Sequence, residues 1–378
     1  MIIECTRRAA LRRRYPGPTP AAVTDEERIR QRATELGFDA VGIARADEPL
    51  GVEHARYEAF LEAGMHGTMD WLADNRETRR RLDTDDILPG ARSVICLALR
   101  YARPAEVPGD DGVPRADAPA GSVAAGVARY ARGQDYHNAV RKKLRKLADF
   151  VRSLGAGVQA RPMIDTAPVL ERAWAARSGL GFVGKNGLVI VPGQGSLLLL
   201  GEVVTTLSLV PDVPIAERCG SCTRCLDACP TQAFPAPFVL DARRCIAYLT
   251  IEHRGPIDEG LREGIGEHLF GCDVCQDVCP FNRTRPLPPD RTRLFVPLER
   301  WRAMTPAELL EAAGDEGLRA GSPLYRCPPE ELLRNAITVL VGSRAREHLP
   351  ALERLAREHP AGWLREHAAW ACARLGSD

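Results

Sequence analysis

The stretch "CGSCTRCLDACP" (residues 219–230) places four cysteines at the spacing C-x2-C-x2-C-x3-C, directly before a proline. This spacing is typical of bacterial iron–sulfur proteins, in which three thiolates of one run hold one [4Fe–4S] cluster and the fourth reaches a second cluster. A shorter run, "CDVCQDVCP" (272–280), supplies three more cysteines, and Cys245 in "DARRCIAY" supplies the fourth. The two runs therefore predict a bacterial-type two-[4Fe–4S] ferredoxin module.

Exchanging the last cysteine of each run gives two complete ligand sets. The first is Cys219, Cys222, Cys225 and Cys279, and the second is Cys229, Cys245, Cys272 and Cys275. A pair of zinc knuckles is the alternative, but zinc explains neither the third cysteine at x2 spacing nor the two Cys-Pro endings. Two adjacent clusters form an electron conduit, so an electron acceptor is expected nearby.

The composition is that of an ordinary globular protein. The chain has 378 residues, 45% of them hydrophobic, with 51 Lys and Arg against 50 Asp and Glu. A net charge of +1 means that any nucleic-acid partner would need a local basic patch. No apolar run approaches a transmembrane helix, and the arginine-rich first 22 residues resemble a disordered extension more than an export signal. We therefore expect a cytoplasmic protein without membrane contact.

Helical and strand patterns alternate over residues 23–215. Thr24 is a candidate N-cap of a first helix, and "ARSVICLALRY" reads as a buried strand. The four cysteines outside the clusters, Cys5, Cys96, Cys327 and Cys372, are interpreted as small core residues. "GLGFVGKNG" contains G-x-G-x-x-G, but a helix pattern precedes it and a strand follows, the reverse of a dinucleotide site. Gly179 is therefore predicted to end a helix.

Two acidic positions carry candidate chemistry. Asp165 follows the strand-like "VQARPMI" and precedes a helix pattern, so it is either a helix N-cap or an acid facing a cavity. Asp135 and His137 in "GQDYHNAV" open a pattern by which some corrinoid proteins ligate cobalt. Val140 stands where that pattern has glycine, so a helix start is the favoured interpretation and His137 is not expected to bind cobalt.

Taken together, "MIDTAPVLERAWAARSGLGFVGKNGLVI", the two cysteine runs and "LDARRCIAYLTIEHRG" closely resemble the epoxyqueuosine reductases, cobalamin-dependent iron–sulfur enzymes of tRNA modification. The resemblance implies a nitroreductase-like α/β cobalamin-binding domain joined to the two-cluster module. It implies reduction of the epoxide of epoxyqueuosine to queuosine at the tRNA wobble position. Asp165 falls on the proton donor, and the expected cobalamin contacts are Arg81, Asp165, Lys185, Asn186 and Asp273.

The expected organisation has five parts. They are an extension (1–22), the cobalamin-binding α/β domain (23–215), the ferredoxin domain (216–285), a connecting segment (286–330) and a HEAT-like helical segment (331–378). The last is interpreted either as a tRNA-facing repeat or as a lid that only packs on the clusters. Basic residues at 141–146 and 76–81 are candidate phosphate contacts, and solvation is the simpler explanation of the first group.

The predicted partners are the anticodon stem-loop of tRNA and an external electron donor, and the protein is expected to be a monomer. Two other functions stay open on sequence alone. One is a corrinoid reductive dehalogenase, which usually carries an export signal that this chain lacks. The other is a non-enzymatic ferredoxin fused to a binding domain, which leaves Asp165 without a role. In the favoured function, a buried pocket is expected to raise the pKa of Asp165 toward neutral.

Overall fold

The computed structural model describes residues 23–101, 118–283 and 294–377. The predicted extension at residues 1–22 lies outside the described residues. Within them, no helix is both long enough and apolar enough to span a bilayer.

A four-stranded antiparallel sheet forms the centre of the first half of the chain. Its strands are β1 (Ala40–Arg45), β2 (Ser93–Arg100), β3 (Ala160–Met163) and β6 (Leu198–Thr205), in the order β1-β2-β6-β3. A separate hairpin pairs β4 (Phe182–Val183) with β5 (Val189–Ile190). All eight residues of β2 are buried, as predicted, because helices cover both faces of the sheet.

Six helices of the described residues accompany these strands. They are α1 (Asp25–Glu35), α2 (Val52–Glu62), α3 (Arg76–Arg80), α4 (Val123–Gly126), α5 (Tyr136–Arg152) and α6 (Glu171–Arg177). The predicted start of α1 is confirmed, because Thr24 and Glu27 form a reciprocal capping box. Gly179 follows α6 with φ of +68°, which confirms its place at the end of a helix.

Helices α5 and α6 cover opposite faces of the sheet. Leu144 of α5 lies over Gly201 of β6, where an added Cβ would come within 2.8 Å of the leucine side chain. On the other face, Trp174 of α6 packs into the core that holds Cys96, which is buried as predicted. Helix α6 is shorter than the sequence suggested, because residues 164–170 form a loop between β3 and the helix.

The cluster region contains only short helices among its described residues. These are α7 (Arg224–Asp227), α8 (Ile246–Ile251), α9 (Glu259–Ile265) and α10 (Val274–Asp277). The following segment forms α11 (Glu299–Ala303), α12 (Leu309–Ala312) and α13 (Glu316–Arg319), and the C-terminal part forms α14 (Pro329–Gly342), α15 (Leu349–Glu358) and α16 (Gly362–Gly376).

The C-terminal helices pack onto the cluster region. Arg334 of α14 is fully buried and donates hydrogen bonds of 2.6 Å to the carbonyl oxygens of Leu249 and Gly255. Leu269 and Phe270 share one hydrophobic core with α14 and α16. A buried arginine that is satisfied by backbone carbonyls fixes the orientation of its helix, so the C-terminal helices are attached rigidly to the cluster region.

Candidate functional site

The structure brings the eight predicted cluster cysteines together in two groups. Burial is the main cause that raises the pKa of Cys272 to about 12, and the charges of Asp273, Cys245 and Cys229 contribute to this rise. Cys275 belongs to the same group, because after burial the charges of Cys272 and Cys245 contribute most to its raised pKa. This group is the second predicted ligand set.

The other four thiols form the first predicted set. Burial raises the pKa of Cys219 to about 11, and the charge of Cys279 adds to this effect. Cys279 and Cys222 likewise raise the pKa of Cys225, again after burial as the main cause. The last cysteine of each run thus lies with the other run, as the exchange of ligands requires. Bound iron would favour the thiolate forms of these eight side chains.

The two cysteine runs share one backbone conformation. Each run contains a one-turn helix, α7 or α10, just before its last cysteine. The amide of that cysteine donates a hydrogen bond to the carbonyl three residues earlier, from Cys229 to Leu226 and from Cys279 to Gln276. Helices α7 and α10 contact each other. Within the described residues, no three His, Cys, Asp or Glu side chains converge on one ion-sized point.

Asp165 and His137 form a hydrogen-bonded pair in the α/β region. His137 Nε2 lies 2.8 Å from Asp165 Oδ2, and His137 Nδ1 lies 2.6 Å from Asp135 Oδ1. Asp135 is the N-cap of α5 and accepts a hydrogen bond from the backbone amide of His137, which confirms the predicted helix start. Both imidazole nitrogens therefore face carboxylates, and neither is free to bind cobalt.

The expected rise in the pKa of Asp165 is wrong for this structure. The hydrogen bond from His137 lowers the pKa of Asp165, outweighing its partial burial, and the charge of Arg326 lowers it further. The same hydrogen bond raises the pKa of His137. A proton held by this pair therefore lies mainly on the imidazole.

The loop after β3 gives Asp165 an unusual backbone. Its φ is +38°, in the left-handed region that side-chain-bearing residues seldom adopt. The N-cap of α6 is Leu170, so Asp165 is not the helix cap that was the alternative interpretation. Instead its backbone amide donates a 2.7 Å hydrogen bond to Glu171 Oε1. The side chain of Asp165 is 45% exposed and can reach a ligand.

Asp165 lines a cavity of about 200 Å3. Its polar lining includes Tyr136, Glu171 and Ser196, and its apolar lining includes Leu188, Val189, Leu198, Leu199 and Leu200. A groove of about 930 Å3 begins beside it, lined by Asp135, Asn138, Lys142, Arg300 and Tyr325 among others. Tyr136 lines the cavity, and its chain neighbours Asp135 and Asn138 line the groove.

A buried hydrogen-bond network joins this cavity to the cluster region. Ser196 Oγ lies 3.1 Å from Gln276 Oε1, and Asn282 Oδ1 accepts a 2.6 Å hydrogen bond from the Ser196 amide. Gln276 stands next to Cys275 in the chain. This contact places the segment that carries Cys275 next to Ser196, a residue of the cavity that Asp165 also lines.

The other expected cofactor contacts lie at different places around this junction. Lys185 Nζ donates to the carbonyls of Gly220 and Cys222, at 2.6 and 3.0 Å, and Asn186 is buried in the β4–β5 loop. Asp273 is buried and accepts a 2.8 Å hydrogen bond from the Arg129 amide. Arg81 forms a bidentate pair with Asp83, both contacts at 2.7 Å. Their roles toward a cofactor stay predictions.

Several residues of the site were missed from the sequence. Glu171 and Gln276 stand inside stretches that the sequence analysis quotes, but nothing in the sequence marks these two positions, and Ser196 stands in an apolar run. The charge of Arg326 acts on Asp165 from a distant segment. Glu202 had a signal that could have been used. It is the only acidic residue in the apolar run "LVIVPGQGSLLLLGEVVTTLSLV", where a charge has no evident partner.

Two groups of four thiols, joined through Gln276 and Ser196 to a cavity lined by a carboxylate that is hydrogen-bonded to an imidazole, are the features of an iron–sulfur oxidoreductase. Residues 218–282 match the family described as "4Fe-4S double cluster binding domain", and residues 81–166 match "Epoxyqueuosine reductase QueG, DUF1730". The epoxyqueuosine reductase of Xanthomonas campestris is 40% identical over 96% of this chain and 98% of its own length. That of Escherichia coli is 37% identical over 92% and 89%. The chain belongs to the epoxyqueuosine reductase family.

Solved structures agree with this assignment. A crystal structure of epoxyqueuosine reductase with an epoxyqueuosine-modified tRNA-Tyr stem loop has a TM-score of 0.81 at 31% identity, covering 93% of this chain and 90% of that one. The Bacillus subtilis enzyme, in a structure with its aspartate-bearing catalytic loop swung out of the active site, has a TM-score of 0.80 at 31% identity and the same coverage.

Proposed function

We propose that this enzyme reduces epoxyqueuosine in tRNA to queuosine, with electrons passing through two [4Fe–4S] clusters to cobalamin and with Asp165 as the proton donor. The overall change consumes two electrons and two protons. Both carbon–oxygen bonds of the epoxide break, the carbon–carbon double bond forms, and the oxygen leaves as water. An external one-electron donor supplies the electrons.

The observation that carries this proposal is the hydrogen-bonded junction at Ser196. Ser196 lines the cavity of Asp165 and contacts Gln276, which directly follows Cys275, and Asn282, which lies three residues after Cys279. The segment that would hold the one-electron carriers thus contacts the cavity that the proposed proton donor, Asp165, lines. A ferredoxin that only transferred electrons would have no use for a carboxylate–imidazole pair beside its clusters, so the junction favours an enzyme.

Asp165 and His137 act as a unit in this proposal. With one proton shared between them, His137 is the resting site of the proton and Asp165 is the group nearest the cavity. When an oxygen with developing negative charge lies beside Asp165, the proton moves from the imidazole through the carboxyl to that oxygen. Asp135 holds the imidazole in position from the other side.

The residues around the cavity fit a corrinoid in part. Cobalamin bound here would supply a cobalt centre able to accept the electrons and to act as a reductant or nucleophile toward the epoxide. The apolar wall of Leu198, Leu199 and Leu200 suits the rim of a macrocycle. Ligand pockets for molecules of this kind usually enclose about 300–1,000 Å3, so a corrinoid would extend from the cavity into the adjoining groove. Lys185 and Asn186 lie on the loop just before the cavity residue Leu188.

The groove also has the character of a nucleic-acid surface. Lys142 and Arg300 line it, and Tyr325, 53% exposed, offers a ring on which an unpaired base can stack. The predicted basic stretches contribute unequally. Arg79 is buried against Tyr57 and Trp71, and Lys143 donates to the Leu36 carbonyl, so neither points to solvent as a phosphate contact would.

Replacing Asp165 by Asn tests the proposal directly. The variant keeps the shape of the side chain but cannot carry the proton, so formation of queuosine from epoxyqueuosine-containing stem-loop should fall by at least about 100-fold. Iron content and cobalamin binding should be unchanged. Asp149→Asn, on the exposed side of α5, is the matched control and should react normally. Full activity of Asp165→Asn would remove this residue from the mechanism.

A further inference from the structure

A buried carboxylic acid lies beneath α6, close to the cavity of Asp165. Glu202 of β6 has no solvent exposure, and neither of its side-chain oxygens has a hydrogen-bond partner among the described residues. Burial, followed by the nearby charge of Glu171, raises the pKa of Glu202 well above its usual range. Glu202 is therefore a neutral acid that carries a proton at physiological pH.

Glu171 connects this acid to the cavity. It is the first residue of α6, it lines the cavity, and its Oε1 accepts the amide hydrogen bond of Asp165. Burial, followed by the charge of Asp165, raises the pKa of Glu171 to about 7. At neutral pH this side chain can give up or take a proton with little cost, as a general acid needs.

Glu202 lies on the face of β6 that α6 covers, in line with two of the residues that line the cavity. Side chains two residues apart on a strand share a face, so Glu202 follows Leu198 and Leu200, which line the cavity. Its cross-strand neighbours are Cys96 on β2 and Met163 on β3, both buried in the core under α6. Glu202 thus stands one step deeper than the cavity wall, beneath the helix that begins with Glu171.

The stoichiometry of the reduction requires a second proton. The His137–Asp165 pair holds one, and the loss of the epoxide oxygen as water consumes two. We propose that Glu171 is the second acid of the reaction and that Glu202 is the proton reserve that recharges it. This inference rests on the proposed reduction of epoxyqueuosine in this cavity. In each turnover Glu171 gives its proton to the departing hydroxyl group and takes the proton of Glu202, and solvent restores both through the cavity.

A purely structural role explains Glu202 poorly. A buried carboxyl without a partner destabilises the fold, and an apolar side chain of similar size would fill the same space at lower cost. Among the described residues, the titratable groups near Glu202 and Glu171 form no hydrogen bond with Glu202. Cys96 faces Glu202, and its raised pKa keeps the thiol neutral. Asp165, Arg172 and His137 act on Glu171 through their charges, and the Asp165 amide also donates a hydrogen bond to it. A residue that lowers the stability of the fold in this way is more readily explained by a role in the reaction.

Infrared spectra of the cluster- and cobalamin-loaded protein test whether Glu171 and Glu202 are protonated. Above pH 6 the exposed carboxyls are ionised, so the remaining carboxylic-acid absorption reports buried acids. The wild type should show two such acids, one lost near pH 7 and one that persists. Glu171→Gln should remove the first and Glu202→Gln the second. If Glu171→Gln leaves the acid absorption unchanged through neutral pH, the assignment is overturned.

Single-turnover and multiple-turnover assays with the modified stem-loop test the use of these protons. Glu171→Gln should slow product formation by about 100-fold. Glu202→Gln preserves size and neutrality, so a structural role predicts a normal rate, whereas a proton reserve predicts slower repeated turnovers after a normal first one. Glu53→Gln, which contacts α6 through Arg177 on its far end, is the control and should behave as wild type.

The outcomes separate the two levels of the proposal. If the loaded wild type forms no queuosine, the proposed reaction itself fails. If the wild type turns over normally and Glu171→Gln matches it in rate and pH profile, only the second-acid assignment fails. A Glu202→Gln enzyme whose later turnovers match its first would overturn the reserve role alone.

Discussion

His137 Nε2 lies 2.8 Å from Asp165 Oδ2, although the two residues are 28 positions apart in the chain. The contact joins the start of α5 to the loop after β3. The hydrogen bond lowers the pKa of Asp165 and raises that of His137, so a proton held by the pair lies mainly on the imidazole. The chemistry at Asp165 therefore depends on a histidine whose sequence context suggested only a helix start.

Replacing His137 by Gln should move the alkaline limb of the pH–rate profile to lower pH. The pKa of His137 is raised and that of Asp165 is lowered, so the pair holds its proton up to the raised pKa of the imidazole. Without the imidazole, Asp165 must hold the proton alone, and the rate at neutral pH should fall by about 100-fold. A profile that is merely scaled down, with its limbs unmoved, would contradict the shared proton.

The same pair should affect stability over a defined pH range. A raised histidine pKa stabilises the fold at low pH and the effect is lost as pH rises through that raised value, whereas a lowered aspartate pKa stabilises above its unfolded value and is lost as pH falls through the folded one. The ion pair therefore contributes most between these two limits. Thermal unfolding of His137→Gln against wild type should differ most at mildly acidic to neutral pH and converge above it.

Double cysteine replacements can test the exchange of ligands between the two runs. In the exchanged sets, Cys219→Ala/Cys279→Ala damages one cluster and should leave about half of the iron. Cys229→Ala/Cys279→Ala damages both and should leave almost none. If each run instead held its own cluster, the first double variant would also lose both. Iron and sulfide analysis of anaerobically reconstituted protein distinguishes these patterns.

Replacing Glu202 by Met should stabilise the protein while impairing repeated turnover. Removing a buried carboxyl without a partner should raise the free energy of unfolding by about 1–2 kcal/mol. Urea unfolding of the cluster-loaded protein measures this change. A variant less stable than wild type would mean that Glu202 has a structural partner, and the reserve role would lose its main support.

Replacing Asn282 by Ala should weaken the junction between the cavity and the clusters. Asn282 is buried, donates to Ser196 Oγ at 3.0 Å and to the Gln276 carbonyl at 2.8 Å, and accepts from the Ser196 amide. Losing these bonds and leaving a buried amide unpaired should cost about 2–4 kcal/mol. The melting temperature should fall, and the rate of electron delivery to cobalamin should fall with it. Unchanged values of both would contradict the junction.

The cysteine runs, the capped start of α1, the buried strand β2 and the end of α6 at Gly179 were predictable because each depends on local spacing. Thiolate spacing, capping residues and glycine conformation act within a few residues of chain. The family resemblance added the role of Asp165. The extension at residues 1–22 and the HEAT-like character of the C-terminal helices stay predictions.

The amino-acid sequence by itself determined which side chains can hold iron and which carboxylate follows β3, since these follow from residue type and neighbours. Only the tertiary structure decided that the pKa of Asp165 is lowered and that of His137 is raised, so that His137 is the preferred site of a shared proton. His137, Glu171 and Arg326 approach it from three separate segments, and the pKa of a carboxyl depends on the charges and hydrogen bonds within a few ångströms. The same holds for Glu202, because the protonation of an acid in an apolar strand depends on the residues that pack around it in the folded protein.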